Sequence, residues 1–196
     1  MITSKQLVFK RAFDLVLSVF LLPVLIVPIV LLIILSIVET KAFGIFVQQR
    51  VGQFGRPFQI YKIRTLNNDV HQLGHLEKAA TPLGRLIRRY KLDELPQLFN
   101  VILGQMSFVG PRPDLFGFAD LLEGEDRIIL KVKPGITGPA TLKYRHEEKL
   151  LSQQKDPELY NRLVIWKDKV EINKHYVQNW SFSLDLKLII KSIKAS

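Results

Sequence analysis

From Leu15 to Val38 the chain runs for 24 residues without a charge, interrupted only by Ser18, Pro23, Pro28 and Ser36. A soluble core helix has no need of so long an apolar stretch, whereas about 20 such residues suffice to cross a bilayer. A cleaved signal peptide fits poorly. The apolar part is too long, and Glu39-Thr40-Lys41 stands where a small-residue cleavage site would be. The segment is therefore expected to persist and to hold the chain at a membrane, which leaves about 150 residues for one soluble domain.

The prolines bear on how the segment sits in lipid. Pro23 lies near its centre with Pro28 five residues on; each removes a backbone donor and obstructs the preceding turn, so a kink near Pro23 is expected. Helical arms from Lys10 to Leu22 and from Val24 to Val38 would cover about 18 and 21 Å, short of a ~30 Å hydrocarbon core. Lys5, Lys10 and Arg11 precede the run, and Lys41, Arg50 and Arg56 follow it. Positive flanks prefer the cytoplasm, which suits a re-entrant hairpin. Proline also occurs in many through-going helices, so these residues alone leave hairpin and kinked span both open.

The charge of +10 is unevenly spread. Residues 41–91 hold ten Lys/Arg against Asp69 and Glu77, a net of +8, while residues 92–196 hold fifteen against fourteen. A basic block directly after a membrane segment suits anionic headgroups or anionic substrates. Nucleic acid is not expected as a partner, because no helix-turn-helix, zinc spacing or interleaved aromatic stripe accompanies the charge. The chain has no cysteine, which removes disulfides, thiol nucleophiles and thiolate metal sites. Its four histidines, His71, His75, His146 and His175, lack the context of a metal site and read as surface residues. At the C-terminus, Trp180, Phe182, Leu184, Leu186, Leu188, Ile189, Ile190 and Ile193 interleave with Lys187, Lys191 and Lys194. This amphipathic stretch fits either a membrane surface or a terminal helix packed on the core.

Val47 to Lys62 reads as a β-hairpin around a Gly-containing turn, Asn67 to Ala80 as a polar loop or a loop with a short helix, and Pro82 to Tyr90 as a helix carrying Arg85, Arg88 and Arg89. Asp93 and Glu94 follow. Pro96 is tolerated only in a first turn, so the helix bearing Leu95, Leu98, Phe99 and Ile102 should begin near Asp93, itself a good N-cap residue. One reading is structural: Asp93 caps the helix and Glu94 pairs with Lys91 or Arg88. The other is a site where a phosphoryl group is held beside a carboxylate by cations and backbone N–H groups. Arg112, fixed between Pro111 and Pro113, favours the second, since a rigidly presented guanidinium suits bidentate phosphate binding. Val132 to Pro139 is a further Pro/Gly-constrained loop.

These stretches together resemble one family closely, the bacterial sugar transferases that initiate glycan assembly, or monotopic phosphoglycosyl transferases. The matching motifs are Lys10-Arg11-Ala12-Phe13-Asp14, Gln49-Arg50-Val51-Gly52, Tyr61-Lys62-Ile63-Arg64-Thr65, the run from Leu92 to Val101, the run from Met106 to Pro113, and Pro134-Gly135-Ile136-Thr137-Gly138. They occur in family order over nearly the whole chain, and the length fits the minimal form of the family. The resemblance implies an α/β fold, mostly α with a small β-hairpin. Residues 1–40 would form a re-entrant membrane helix-hairpin, with the break near Pro23. Residues 41–196 would form a compact cytoplasmic catalytic domain with surface amphipathic helices.

It also implies a phosphotransferase that moves a sugar 1-phosphate from a UDP-sugar to polyprenyl (undecaprenyl) phosphate, the first membrane step of glycoconjugate and polysaccharide assembly. Asp93 would be the nucleophile, forming an aspartyl-phosphosugar intermediate, and Glu94 its partner. Lys62, Arg88 and Arg112 would bind phosphates, and Mg²⁺ is the implied cofactor, held by Asp93 and Glu94. The implied location is the bacterial inner membrane, monotopic at the cytoplasmic face of the phospholipid bilayer. A catalytically inactive, membrane-anchored polyprenyl-phosphate-binding or interaction protein is the alternative. Two positions depart from the family pattern: Pro139 follows Gly138, and Asn173 stands where some relatives carry an aspartate, leaving Asp168 as the nearest substitute.

Overall fold

The computed structural model describes residues 2–67 and 76–195, so the polar stretch from Asn67 to Ala80, with His71 and His75, lies mostly outside the described residues. The described residues are mostly helical, with two small two-stranded sheets among them. The apolar run forms α1 (Ser4–Thr40), opened by a capping box between Thr3 and Gln6 and closed by Lys41 in the left-handed conformation. The helix continues through Pro23 and Pro28, so the break expected near Pro23 does not interrupt it. Asp14, Ser18, Ile29, Ser36 and Thr40 lie on its sheltered side, while Val16, Val19, Phe20, Val24, Val27 and Leu31 face outward.

Both ends of α1 are bonded to the rest of the chain. Arg11 donates to the carbonyls of Val101 and Ile102 at 2.5 and 2.9 Å, and Asp14 accepts from the backbone N–H of Phe108 at 3.1 Å. Lys10 pairs with Asp185 at 2.5 Å; Asp185 also accepts from the Tyr176 hydroxyl at 2.7 Å and the Trp180 indole at 3.0 Å, so this buried carboxylate is fully engaged. At the other end Ser36 donates to the Arg64 carbonyl at 2.6 Å, and Glu39 accepts from the Thr81 hydroxyl and, at 3.0 Å, from the Leu83 N–H. Gly44 then turns the chain back so closely that a Cβ there would lie 2.4 Å from the Ile33 carbonyl oxygen.

The expected hairpin is present. β1 (Ile45–Val51) and β2 (Pro57–Ile63) pair antiparallel from Ile45↔Ile63 to Val51↔Pro57, joined by a tight turn with positive φ at Phe54 and Gly55. The described part of the polar stretch includes a short helix, α2 (Leu76–Ala79), and the next is α3 (Pro82–Arg89), with Thr81 as N-cap and Gly84 and Ile87 turned inward. Then come a 3₁₀ turn (Leu92–Glu94) and α4 (Gln97–Ile102). A second sheet, which the sequence did not suggest, pairs β3 (Ser107–Val109) with β4 (Gly135–Thr137) in parallel. α5 (Pro139–Lys143), α6 (Glu147–Ser152), α7 (Pro157–Tyr160), α8 (Trp166–Gln178) and α9 (Phe182–Ala195) complete the fold. The main core gathers Val109, Ile128, Ile129, Val170, Tyr176, Val177 and Leu188, with Leu7 of α1 packed against it. Phe58, Ile60, Val101 and Met106 join the hairpin to α4. α9 combines both sequence readings: Leu188 packs inward and Phe182 meets Phe9 and Phe13 edge-on, while Leu186, Ile190 and Ile193 form an exposed stripe at i, i+4, i+7.

Candidate active site

Asp93 sits in the 3₁₀ turn after Lys91, whose backbone is left-handed (φ 57°). The turn and the following residues stay helical, and α4 proper starts at Gln97 with Pro96 before it. Asp93 therefore does not cap α4, contrary to the structural reading of the sequence. Its side chain is buried, and Oδ1 has no hydrogen-bond partner among the described residues. An unpaired buried carboxylate oxygen costs free energy on the order of 1–3 kcal/mol, so its retention calls for a use. Burial pushes the Asp93 carboxyl above its usual range; Lys62 opposes this and the Glu94 charge adds to it.

Glu94 is the opposite case. Arg112 grips it with a fork, Nη2 to Oε1 at 2.5 Å and Nη1 to Oε2 at 3.3 Å, and Lys62 Nζ donates to Oε1 at 3.1 Å. Its ion-pair partners are thus Arg112 and Lys62, not the sequence neighbours Lys91 or Arg88. Burial alone would raise its pKa, but these two cations hold the Glu94 carboxyl well below the usual carboxylate range. One carboxylate is thus saturated and the other left bare. Two cations against Glu94 leave one positive charge beside Asp93, and the charge of Arg88, from the last turn of α3, reaches Asp93 as well. A bare carboxylate oxygen beside excess positive charge suits a phosphoryl group.

Each side chain is presented by a stiff piece of chain. Lys62 is near the end of β2, and Asn100 of α4 ties that strand down: its amide donates to the Gln59 carbonyl and Gln105 Oε1, both at 2.7 Å, and accepts from the Tyr61 N–H at 3.2 Å. Arg112 follows β3 between two prolines, where the Pro111 carbonyl accepts from the Gly135 N–H at 2.8 Å. A Cβ on Gly135 would lie 2.1 Å from the Gly110 nitrogen, so this crossing admits only glycine. Arg50 braces the loop from the hairpin, donating to the Pro113 carbonyl at 3.3 Å and to Gln48 at 2.6 Å. Asp114, next in that loop, has its pKa raised to about 6 by burial, against the pull of Lys169 and Arg50. The cavity lined by Pro111, Arg112, Asp114 and Val51 holds only about 20 Å³, room for one water and far too small for a nucleotide.

The structure thus brings Lys62, Asp93, Glu94 and Arg112 together, with Arg88 close enough to act electrostatically. Asp168 is not among them: Lys143 and the Tyr144 hydroxyl hold its carboxylate at 2.6 and 2.7 Å on a part-exposed face. Asn173 is buried on α8 with Oδ1 unpaired among the described residues, and Pro139 serves as the first residue of α5. Sequence reasoning missed Asn100, Asp114 and Gln97, of which Asn100 was detectable as an amide inside an apolar helical face.

A family model described as bacterial sugar transferase matches residues 5–196. The uncharacterized sugar transferase EpsL of Bacillus subtilis (strain 168) is 36% identical over 96% of this chain and 87% of its own length. The UDP-glucose:undecaprenyl-phosphate glucose-1-phosphate transferase of Klebsiella pneumoniae is 37% identical over 96% of this chain, and a UDP-N-acetylgalactosamine-undecaprenyl-phosphate N-acetylgalactosaminephosphotransferase of Aeromonas hydrophila is 30% identical over 94%. This chain spans 40% and 43% of the lengths of those two proteins. With nearly every residue matched, the chain belongs to the bacterial sugar transferase family and is an enzyme of the initiating phosphoglycosyl transferase kind.

Proposed function

We propose that this chain transfers a sugar 1-phosphate from a UDP-sugar to polyprenyl phosphate through a covalent intermediate on Asp93. The observation that carries the proposal is the bare, buried Asp93 Oδ1 beside a Glu94 already saturated by Arg112 and Lys62. Asp93 Oδ1 attacks the β-phosphorus, an O–P bond forms, and the bond from that phosphorus to the bridging oxygen breaks with its electron pair leaving on UMP. A phosphate oxygen of the lipid then attacks the same phosphorus and releases the Asp93 carboxylate. No proton is needed in either step. Arg112, Lys62 and Arg88 bind the phosphates and spread the charge that shifts as the bonds change.

Mg²⁺ fits this donor set. It takes oxygen ligands, binds through one or two carboxylates together with substrate phosphates, and Asp93 Oδ1 is an unpaired carboxylate oxygen of that kind. Asp93 together with substrate phosphates would hold the ion, because both oxygens of Glu94 are already taken by Arg112 and Lys62, and the ion would neutralise phosphate charge. The test is UMP release from a panel of UDP-sugars with polyprenyl phosphate and Mg²⁺, which also identifies the sugar. Asp93→Asn should abolish it, and full activity in that variant would sink the covalent route.

We further propose that residues 1–40 form a re-entrant hairpin and that residues 41–196 sit on the cytoplasmic face of the inner membrane. If α1 were straight, Arg11 and Ser36 would be about 37 Å apart, beyond a ~30 Å hydrocarbon core. Both bond to the same soluble unit, which supports a segment that enters and leaves on one face over a through-going span. The exposed Leu186, Ile190 and Ile193, flanked by Lys187, Lys191 and Lys194, support a membrane surface alongside. Labels placed near Lys5 and near Lys41 should react only from the cytoplasmic side; reaction of one from the other side refutes the hairpin.

A further inference from the structure

Two amides on successive turns of the helical segment that carries the acidic pair behave differently. Asn100 has three hydrogen bonds and a plain architectural role. Gln97 is more deeply buried than the acidic pair itself, 1% exposed against 6% for Asp93 and 7% for Glu94, yet its Nε2 has no hydrogen-bond partner among the described residues. The backbone from Leu92 to Ile102 is helical throughout, with Leu95 and Pro96 both in the right-handed region, so Gln97 lies one turn from Asp93 and Glu94 on the same buried side. An unpaired donor and an unpaired acceptor, Gln97 Nε2 and Asp93 Oδ1, thus occur one turn apart without satisfying each other. Buried amides are ordinarily paired, and Asn100 shows that this helix can pair one.

We propose that Gln97 Nε2 is a phosphoryl ligand: it donates to a non-bridging oxygen of the phosphoryl group that is transferred to and from Asp93. This rests on the covalent reading above. A phosphoryl group joined to Asp93 Oδ1 carries non-bridging oxygens that accept N–H donors at about 2.9 Å, and one of them supplies the partner that Gln97 lacks. The choice of an amide has a chemical sense. Arg112, Lys62 and Arg88 already provide charge, and a further cation here would pair with Asp93 and blunt it as a nucleophile. A neutral donor orients the phosphoryl oxygen without competing for the carboxylate. Gln97 Nε2 has no partner among the described residues to give up when substrate arrives, so its contribution falls on the reacting group.

The experiment is a single-turnover burst of UMP from UDP-sugar with Mg²⁺ and no lipid acceptor, measured on the full chain in detergent alongside its melting temperature. Gln97→Met keeps the length of the side chain and removes the donor; the burst should slow about 100-fold, the scale set by loss of one preorganised donor. Its melting temperature should equal or exceed that of the unsubstituted chain, because an unpaired buried amide is replaced by an apolar group. A purely structural glutamine would give the reverse pattern, a lowered melting temperature with a normal burst. Gln97→Glu, also without the N–H, should be equally slow and covers the case in which Gln97→Met does not fold. A normal burst in either folded variant, with Asp93→Asn inactive, overturns the role of Gln97 alone; an active Asp93→Asn overturns the covalent reading and this inference with it.

Discussion

Replacing Asp93, the proposed nucleophile, should make the protein more stable, and the size of the gain follows from its surroundings. Asp93 is 6% exposed, Oδ1 is unpaired, and the neighbouring Glu94 repels it; Lys62, Arg88 and Lys91 attract it. The balance lies with burial and repulsion, because the Asp93 pKa is raised above the reference 3.8. A carboxyl whose folded pKa is raised favours the native state in its protonated form. That advantage is complete below the unfolded value and is lost as pH rises through the folded value. At neutral pH the ionised group is a liability, and Asp93→Asn removes it while keeping the shape. The variant keeps an unpaired Oδ1, so the gain comes from the lost charge alone, which against the attraction of the three cations is on the order of 1–2 kcal/mol. For a chain of this size each 1 kcal/mol moves the melting temperature by about 2–4 °C, so a rise of roughly 2–8 °C is expected. Thermal unfolding in one detergent across a pH series should show the gap between the two proteins narrowing as pH falls through the folded Asp93 value and gone below 3.8, while UMP release by Asp93→Asn stays at background. A lower melting temperature for Asp93→Asn at neutral pH, or a gap that ignores pH, would refute the reasoning.

Other substitutions probe the supports of the site. Glu94→Gln strands Arg112 and Lys62 beside a neutral amide and should destabilise by about 2–3 kcal/mol at neutral pH, less than a fully buried pair because both cations retain some solvent. Because the Glu94 pKa is depressed, its stabilisation is present above 4.5 and lost as pH falls through the folded value, so denaturant midpoints of the two proteins should converge in acid. Asp185→Asn leaves Lys10 buried without its counter-ion and weakens the tie between α1 and α9; a loss of about 3–5 kcal/mol is expected in thermal unfolding. Gly135→Ala drives a methyl to within 2.1 Å of the Gly110 nitrogen, and should lower the melting temperature and UMP release together by shifting the Arg112 loop.

How far the sequence could be read depended on how local each signal was. The hairpin and α3 were legible because a Gly-containing turn and a Thr-Pro start lie within a few residues of the apolar pattern they bound. The β3–β4 pair was not, since three-residue strands 28 positions apart carry no periodicity. Lys10 and Arg11 looked like topological flanks of an apolar run. In the fold Lys10 meets Asp185 across 175 positions and Arg11 caps carbonyls of α4, partners that no local pattern announces. The acidic pair was visible as a site candidate, but its division of labour was not. Glu94 finds its cations 18 residues ahead and 32 behind, past the nearer Lys91 and Arg88, and it is this tertiary pairing that leaves Asp93 bare. Gln97 escaped notice because a glutamine in a helix is ordinary until its burial is known.

The central claim is that Asp93 carries the sugar phosphate between the two substrates. Intact-mass measurement of the purified chain mixed with Mg²⁺ and its UDP-sugar, without lipid, tests it directly. One added sugar phosphate should appear, map to Asp93, disappear when polyprenyl phosphate is supplied, and never form on Asp93→Asn. Turnover with both substrates present but no adduct in their separate mixing, or an adduct on another residue, would contradict it.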